Sequence, residues 1–507
     1  MTNPLSDEEA RMAYFEKDEN FRWIANMFAP VCPTRLSKPV EEHVQRAVYA
    51  FAEFAEIAHG SIDPEWILDK ENRLLLGQSG FPLEKYPTLA GQAKDEREHT
   101  GKLLEDIRLV SVFHGEKGPL QGYCALRMTP KTPAYDAGAN PVKIRPQLIL
   151  AFSGTSNLRL AMYDMQTSRT AYRTEFEPRD REWLVHTGFQ TVYQGIRREA
   201  FWAVNQALDV LKQDNITAFD VVITAHSLGT AVSYLTLLDI LRADPYKHPS
   251  VPKIPDSSNI TMALFGAPRV GNKPFVEYFR KLVEARRVRT GRKEAVTEWS
   301  VIGHLDGVPA LPPTYFGYEH FSKAPFYSYG GLLFSIPSEC SEFTRFVVDY
   351  PKEKVKYLRG GHNYYGGRDM ERLQRRIKAI RLDLLPKEQR STIIYRNMSR
   401  KRTATTSDLT HPTQSMHSSP SRGWSVPTSL RSAQNQSYAP FFNTNISEEP
   451  EPMTPVETMR SASSLHAELP EWARRYLERE EAEETTWKKK LAEEKKGPVK
   501  GLWSRFF

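Results

Sequence analysis

In the first three quarters of the chain, apolar residues recur with two different spacings, one typical of helices and one typical of strands. In Glu42–His59 the apolar residues recur at helical spacing, which predicts a helix with one buried face. Short, almost wholly apolar runs at Gln147–Phe152 and Asn259–Gly266 are bounded by polar turns and predict buried strands. The apolar patterns of Ile107–Phe113 and Gly122–Met128 are typical of antiparallel strands. Together these elements predict an α/β domain built on an open sheet.

The stretch Phe219–Leu235 contains a strand-like apolar run followed by a helical one, and it carries the first candidate catalytic residue. An apolar, β-branched run at 221–224 leads through a tight turn into a helical run. Such a turn lifts one side chain, here Ser227, above the sheet and directs the helix N-terminus at whatever bonds to it. The small residues Ala225 and Gly229 suit a crowded turn, and the stretch differs from G-x-S-x-G only at its first position. A surface serine that caps an ordinary helix would fit the same motif.

A serine nucleophile requires two partners elsewhere in the chain. Its hydroxyl is a poor nucleophile at neutral pH, so it needs a histidine to accept its proton and a carboxylate to orient that histidine. With the serine on a strand–helix turn, the acid and then the base follow on loops after later strands. Asp306 comes just after the strand predicted at Glu298–Ile302, and His362 lies on a Gly-rich loop, so Ser227, Asp306 and His362 form the predicted triad. The other acids considered are Asp239, Asp244, Asp256 and Asp349, and the reserve base is His320.

Composition divides the chain into four regions. Residues 1–38 are polar and predict a loosely docked leader, while residues 39–390 predict the globular domain. Residues 391–468 are rich in Ser, Thr and Pro and cannot bury enough surface to offset the entropy of ordering, so we expect them to be disordered. Residues 469–507 predict a charged helix and an aromatic, basic tail suited to a lipid interface or a partner surface.

Charge and cysteine content argue against several function classes. The formal net charge is +7, but the 69 basic and 62 acidic residues are interspersed and no nucleic-acid-binding motif accompanies them. We therefore expect no nucleic-acid partner. Three scattered cysteines are too few for a disulfide framework or a metal site.

The N-terminus has no signal-peptide core, and no run approaches the ~20 apolar residues of a membrane span. These two features predict an intracellular protein, cytoplasmic or peripherally bound to a membrane.

Six blocks stand in a characteristic order along the chain: Ala151–Thr155, Val185–Phe189, Ala225–Gly229, Phe265–Asn272, Asp306–Pro313 and His362–Tyr365. Together they resemble the fungal class 3 lipase family, over roughly Glu42–Leu385. The resemblance implies an α/β-hydrolase fold with a mostly parallel central sheet flanked by helices, and it implies the same three triad residues. It also implies an oxyanion hole formed by Thr155 and the backbone N–H of Leu228. The lid position of the family corresponds to an apolar segment with Leu158, Leu160, Met162, Tyr163 and Met165.

The resemblance implies a serine ester hydrolase of the lipase type, which cleaves acylglycerols or related lipid esters through an acyl-enzyme on Ser227. It implies no metal and no organic cofactor. A phospholipase or transacylase using the same triad, and a non-catalytic module of lipase-like fold, stay open as alternatives. We also expect contact with a membrane or lipid-droplet surface through the lid and the C-terminal tail, and we leave the oligomeric state open.

Two positions depart from the family pattern. The family usually has Arg before the Gly-Thr of the oxyanion hole, whereas this chain has Ser153, so we expect a supporting ion pair to be missing there. Ala225 adds a methyl group at a tight point of the serine turn.

Overall fold

The computed structural model describes residues 21–59, 64, 68, 107–116, 120–128, 145–154, 168–172, 182–244, 246–351, 360–365 and 368–370. The strands of the main body are β1 (Val31–Leu36), β2 (Ile107–His114), β3 (Gln121–Arg127), β4 (Gln147–Phe152), β5 (Arg169–Ala171), β6 (Leu184–His186), β7 (Asp220–His226), β8 (Ile260–Phe265), β9 (Gly271–Asn272), β10 (Val296–Gly303), β11 (Tyr318–Glu319), β12 (Phe326–Tyr329), β13 (Leu332–Ser335), β14 (Arg345–Val348), β15 (Tyr364–Tyr365) and β16 (Arg368–Asp369). The α-helices are α1 (Arg22–Phe28), α2 (Glu42–Ala58), α3 (Thr187–Gln213), α4 (Leu228–Arg242) and α5 (Lys273–Thr290).

In the described part of the chain, the central sheet has eight strands, in the order β13-β12-β10-β8-β7-β4-β3-β2. The strands from β12 to β4 run parallel to one another, and antiparallel strands close the sheet at both edges. Parallel strands are covered on both faces and are apolar along most of their length, as β4 and β7 are. The carboxyl ends of β4, β7 and β10 lie at one edge of the sheet, which is where ligands bind in open α/β sheets.

Helices cover both faces of this sheet, and the two-residue period of the strands decides what each side chain meets. On β8, Met262 and Leu264 belong to the core under α3, α4 and α5, whereas Ala263 and Phe265 pack in the core under α2. Helix α4 is buried on almost all sides from its first turn onward. The mostly parallel sheet with helices on both faces confirms the predicted fold class.

The N-terminal residues differ from the polar leader expected for 1–38. Strand β1 pairs in parallel with β14, and Phe21, Ile24 and Ala25 of the α1 region are buried. Residues 21–36 therefore belong to the folded body. The sequence did not reveal this because the packing partners of these residues lie about 300 residues further along the chain.

The sequence pattern predicts helices from Glu182 to about Leu211 and from Asp369 to about Leu385, and both have different bounds in the structure. Helix α3 was expected from Glu182 but begins at Thr187, because β6 precedes it and the His186 ring accepts a hydrogen bond from the Phe189 N–H as the helix cap. The helix expected from Asp369 begins instead as the short strand β16. The expected disorder of residues 391–468, the C-terminal helix and tail, and the remainder of the helix after Asp369 lie outside the described residues.

Among the residues described above, no helix has the length and apolar character needed to cross a bilayer. No group of three or more His, Cys, Asp or Glu side chains among them is arranged to hold a metal ion.

Candidate active site

Ser227 occupies the sharp turn between β7 and α4, as the sequence predicted. Its backbone has φ 58° and ψ −128°, a conformation that costs a non-glycine residue about 1–3 kcal/mol. Hydrogen bonds offset this cost: Ser227 N–H donates to the Phe265 carbonyl at 2.9 Å, and the N–H of Thr230 donates to the Ser227 carbonyl at 3.0 Å. The turn holds the serine side chain above the end of the sheet. This geometry excludes the alternative of a surface serine, because Ser227 is buried.

Asp306 lies on the loop after β10 and is completely buried. Its Oδ1 accepts a hydrogen bond from the Val308 N–H at 2.9 Å. Its Oδ2 accepts one from the Tyr365 hydroxyl. Burial, together with the adjacent carboxylate, raises the pKa of Tyr365 well above its usual value, so that hydroxyl stays protonated and keeps donating. These donors stabilise a buried negative charge that would otherwise be costly.

His362 faces Asp306, and the two side chains form the predicted acid–base pair. The Nδ1 of His362 lies 3.0 Å from Oδ1 and 3.1 Å from Oδ2 of Asp306. Because a carboxylate only accepts hydrogen bonds, Nδ1 carries the proton and the Nε2 of a neutral ring is left as a base. The Nε2 atom is buried and has no hydrogen-bond partner among the described residues.

His226 connects the base loop to the serine turn. Its Nε2 lies 2.9 Å from the His362 carbonyl oxygen, to which it donates, and the two imidazole rings are 4.4 Å apart. His226 immediately precedes Ser227, so this bond brings the base loop next to the serine. The predicted triad residues are thus gathered at one edge of the sheet.

Gly266 stands where the acid, the base and Tyr365 meet. Its φ of +66° is in the region that favours glycine, and a Cβ atom at this position would lie 2.8 Å from His362 Cε1 and 3.0 Å from Asp306 Oδ2. It would also collide with the Tyr365 hydroxyl. The close contact between the acid and the base therefore depends on the absence of a side chain at residue 266.

The loop after β4 is anchored without the arginine that the family usually has. Ser153 exchanges two hydrogen bonds with Gln121: its N–H donates to the Gln121 carbonyl at 2.8 Å, and its Oγ accepts from the Gln121 N–H at 3.0 Å. The next residue, Gly154, donates its N–H to Nδ1 of His59 at 3.2 Å. Hydrogen bonds therefore anchor the beginning of this loop to β3 and to the C-terminal end of α2.

His59 is a site residue that sequence reasoning missed. It is buried, and its ring lies 5.0 Å from that of His226. A methyl group at Gly154 would lie 2.6 Å from His59 Cε1 and 3.1 Å from Ser227 Cβ, so His59 and Ser227 flank the same backbone atoms. The signal was a histidine at the end of the predicted helix Glu42–His59, whose distance of 95 residues from Gly154 gave no reason to connect them.

Of the residues predicted for the oxyanion hole and the lid, only Leu228 lies among the described residues. Leu228 is the first residue of α4, where backbone N–H groups have no acceptor within the helix. Thr155 and the lid residues Leu158, Leu160, Met162, Tyr163 and Met165 lie outside the described residues.

The reserve base and the other acids have different partners. His320 donates its backbone N–H to Glu342, which also pairs with Arg269 at 3.0 Å. Burial lowers the pKa of His320 to about 3. Asp239 accepts hydrogen bonds from Tyr172, Tyr193 and Arg197, and Asp256 pairs with Arg286 and Arg289. Asp306 and His362, by contrast, are hydrogen-bonded to each other beside the serine turn.

A serine on a strand–helix turn, beside a buried Asp–His pair at the carboxyl edge of a mostly parallel sheet, defines the α/β-hydrolase fold. Residues 149–316 match the family model described as Lipase (class 3). This match confirms the predicted resemblance to the class 3 lipase family over these residues.

Similar curated proteins are fungal lipases. A lipase of Rhizopus niveus is 28% identical over 176 residues, 34% of this chain and 36% of the relative. Lipase A of Sodiomyces alcalophilus is 27% identical over 268 residues, 49% of this chain and 54% of the relative. The secreted mono- and diacylglycerol lipase MDL3 of Malassezia globosa is 29% identical over 182 residues, 35% of this chain and 50% of the relative. The matches thus span between 36% and 54% of these relatives.

Solved lipase structures are also similar. Lipase II from Rhizopus niveus is 18% identical with a TM-score of 0.38, over 60% of this chain and 90% of that chain. A triacylglycerol lipase described as having a serine protease triad is 17% identical with a TM-score of 0.40, over 66% of this chain and 99% of that chain.

Proposed function

We propose that the protein is a serine ester hydrolase that cleaves acylglycerols or related lipid esters through an acyl-enzyme on Ser227. One observation carries the proposal. The Ser227 hydroxyl and His362 Nε2 are both buried beside the serine turn and have no hydrogen-bond partner in the described part of the chain. Buried polar atoms in folded proteins are almost always paired. Two unpaired atoms of complementary chemistry, with Asp306 behind one of them, suit a nucleophile and a base that act on a bound substrate.

Each step assigns one role to one group. His362 Nε2 accepts the Ser227 proton as Oγ attacks the ester carbonyl, and Asp306 stabilises the imidazolium that forms. The Leu228 N–H, with the Thr155 N–H, donates to the negative oxygen of the tetrahedral intermediate, and losing one such donor lowers the rate about a hundred- to a thousandfold. His362 then protonates the leaving alcohol, and water cleaves the acyl-enzyme by the same sequence. These steps require no metal or organic cofactor.

The proposed substrate class rests on the family and on the named relatives. Class 3 lipases give the family its name, and the Malassezia relative is described as a mono- and diacylglycerol lipase. We extend this to a lipid ester substrate for the present chain. An intracellular location, and contact with a membrane or lipid-droplet surface, are further proposals that rest on the sequence patterns alone.

A fluorophosphonate probe tests the proposal, because it phosphonylates only an activated serine. We expect the wild type and the control Ser250→Ala, which changes an exposed serine, to be labelled, and Ser227→Ala to stay unlabelled. A wild type that is never labelled, with detergent or lipid vesicles present, would favour the non-catalytic module. Mono-, di- and triacylglycerols and phospholipids as substrates, with and without an acceptor alcohol, then separate lipase, phospholipase and transacylase.

A further inference from the structure

The segment Phe21–Phe28, here the α1 segment, lies outside the family match at 149–316 and contacts the loops of both the acid and the base. Phe21 and Ile24 form one apolar cluster with Val308 and Leu311. Val308 begins the short 3₁₀ helix two residues after Asp306. The apolar side of the α1 segment is thus buried against the chain that follows the acid.

Contact with the acid loop is close enough to leave no space for a side chain at Gly307, the neighbour of Asp306. A Cβ atom there would lie 2.5 Å from Ile24 Cβ and 2.7 Å from the Ala25 backbone nitrogen, and it would collide with the Phe21 carbonyl. Such contacts fix two packed backbones relative to each other. The position of the α1 segment therefore constrains the position of residue 307.

Contact with the base loop is polar and aromatic. The Arg22 guanidinium donates from Nε and Nη2 to the Gly360 carbonyl, at 3.2 and 3.1 Å. The Phe21 ring meets the His362 ring edge-on, with centroids 5.6 Å apart and planes at 90°. Arg22 thus holds the backbone at the start of the loop that carries His362, and Phe21 covers one side of the His362 ring.

We propose that Phe21 and Arg22 are positioning residues that hold the His362 ring in its productive place between Asp306 and Ser227. The proposal rests on the function proposed above. The acid loop and the base loop also meet through the hydrogen bond from Gly361 N–H to the His304 carbonyl, at 2.6 Å. That bond fixes the two loops to each other, and the α1 segment fixes both to one body. A displacement of the base by about 1 Å lowers the rate up to a hundredfold. Contacts that fix the position of His362 therefore affect the rate of the chemical step.

Arg22 is the residue of choice for the test because its bonds to a carbonyl can be removed without opening the apolar cluster. Arg22→Met keeps much of the side-chain length and loses the donors, whereas Arg22→Lys keeps a donor at the end of a similar stem. Met27→Ala on the same helix is the matched control, since Met27 is 55% exposed. All variants are made in the full chain, and thermal unfolding followed by circular dichroism confirms that each is folded.

The variants are compared by kcat and KM on a soluble short-chain ester and by the rate of phosphonylation of Ser227. We expect Arg22→Met to lower kcat about ten- to a hundredfold while KM changes less than about twofold. Arg22→Lys should recover part of the loss, phosphonylation should slow in parallel with kcat, and Met27→Ala should match the wild type. Phe21→Leu, which keeps an apolar side chain but loses the flat ring, should also lower kcat.

Two outcomes would overturn the inference. A folded Arg22→Met with wild-type kcat excludes a positioning role, and a loss in Arg22→Met that is matched by Met27→Ala points to general destabilisation of the helix. Both leave the proposed function intact. Failure of the proposed function is recognised separately, by a wild type that neither hydrolyses esters nor reacts with the probe.

Discussion

The Tyr365 hydroxyl donates a hydrogen bond to Oδ2 of Asp306, while His362 Nδ1 faces both oxygens of that carboxylate. His362 lies on the loop before β15 and Tyr365 lies three residues further, at the end of β15, so one short stretch supplies two of the groups that surround Asp306. This arrangement makes the orientation of the carboxylate depend on the loop as a whole.

Removing this hydroxyl is expected to loosen the acid. Tyr365→Phe preserves the ring in its buried site but leaves Oδ2 with fewer donors, and hydrogen bonds to charged groups contribute about 1.5–3 kcal/mol. We expect a loss of stability of that order in urea unfolding and a several-fold lower kcat. Tyr315→Phe, at an exposed tyrosine, is the control. Unchanged stability and kcat would show that Val308 N–H and His362 are sufficient to hold Asp306.

His59 is expected to matter through the acceptor it offers to Gly154 N–H. His59→Asn places an oxygen near the position of Nδ1, whereas His59→Leu fills the space without an acceptor. We expect His59→Leu to lower kcat about tenfold, because Gly154 precedes the proposed oxyanion residue Thr155, and we expect His59→Asn to retain most activity. Steady-state kinetics on a soluble ester measure both. Equal rates in the two variants would mean that the acceptor has no role in the reaction.

The two small residues of the serine turn should respond differently to substitution. Ala225 lies within β7, so Ala225→Gly should cost about 0.5–1 kcal/mol of stability and leave probe labelling intact. A methyl group at Gly229 would lie 2.9 Å from the Phe152 carbonyl oxygen and would collide with that of Ser153. Gly229→Ala should therefore displace the loop after β4 and abolish labelling of Ser227. Retained labelling in a folded Gly229→Ala would contradict this.

Two histidines, the buried His320 and the half-buried His304, predict acid sensitivity of the fold. Burial lowers the pKa of His304 to about 4 and that of His320 to about 3, from an ordinary value of 6.5. The unfolded chain therefore binds these protons at a higher pH than the folded chain, and stability falls as pH decreases below 6.5. Between pH 7 and pH 5 we expect a loss of about 2 kcal/mol for each histidine.

Urea unfolding at the two pH values measures this loss. His304→Asn should reduce the difference between pH 7 and pH 5 by about 2 kcal/mol, whatever its effect on stability at pH 7. The exposed His43 provides a control, because His43→Asn should leave the difference as it is. A His304→Asn difference equal to that of the wild type would show that His304 takes up its proton in the folded protein.

Sequence patterns identified the elements that carry the triad because those elements are locally encoded. The apolar run of β4 was predicted with the bounds it has, and the turn chemistry around Ser227 and Asp306 placed both at the carboxyl edge of the sheet. Parallel strands bring such turns together whatever the loops between them contain. The pairing of Asp306 with His362 followed from the same rule.

The supporting residues could not be predicted in this way because their partners are distant in the sequence. Arg22 and Gly360 are separated by 338 residues, and His59 and Gly154 by 95. The apolar residues around Phe21 do not indicate which distant part of the chain they pack against. Tyr365 was part of a recognised block, but its bond to Asp306 depends on how the loop folds back.

Gly266 makes the site vulnerable at a point where no reactive group stands. The acid, the base and Tyr365 close around the space that its missing side chain leaves empty. A methyl group added at residue 266 would separate Asp306 from His362, although the sequence would still contain both residues and Ser227. A chain with a side chain at residue 266 could thus retain Ser227, Asp306 and His362 and still be unable to bring the last two together.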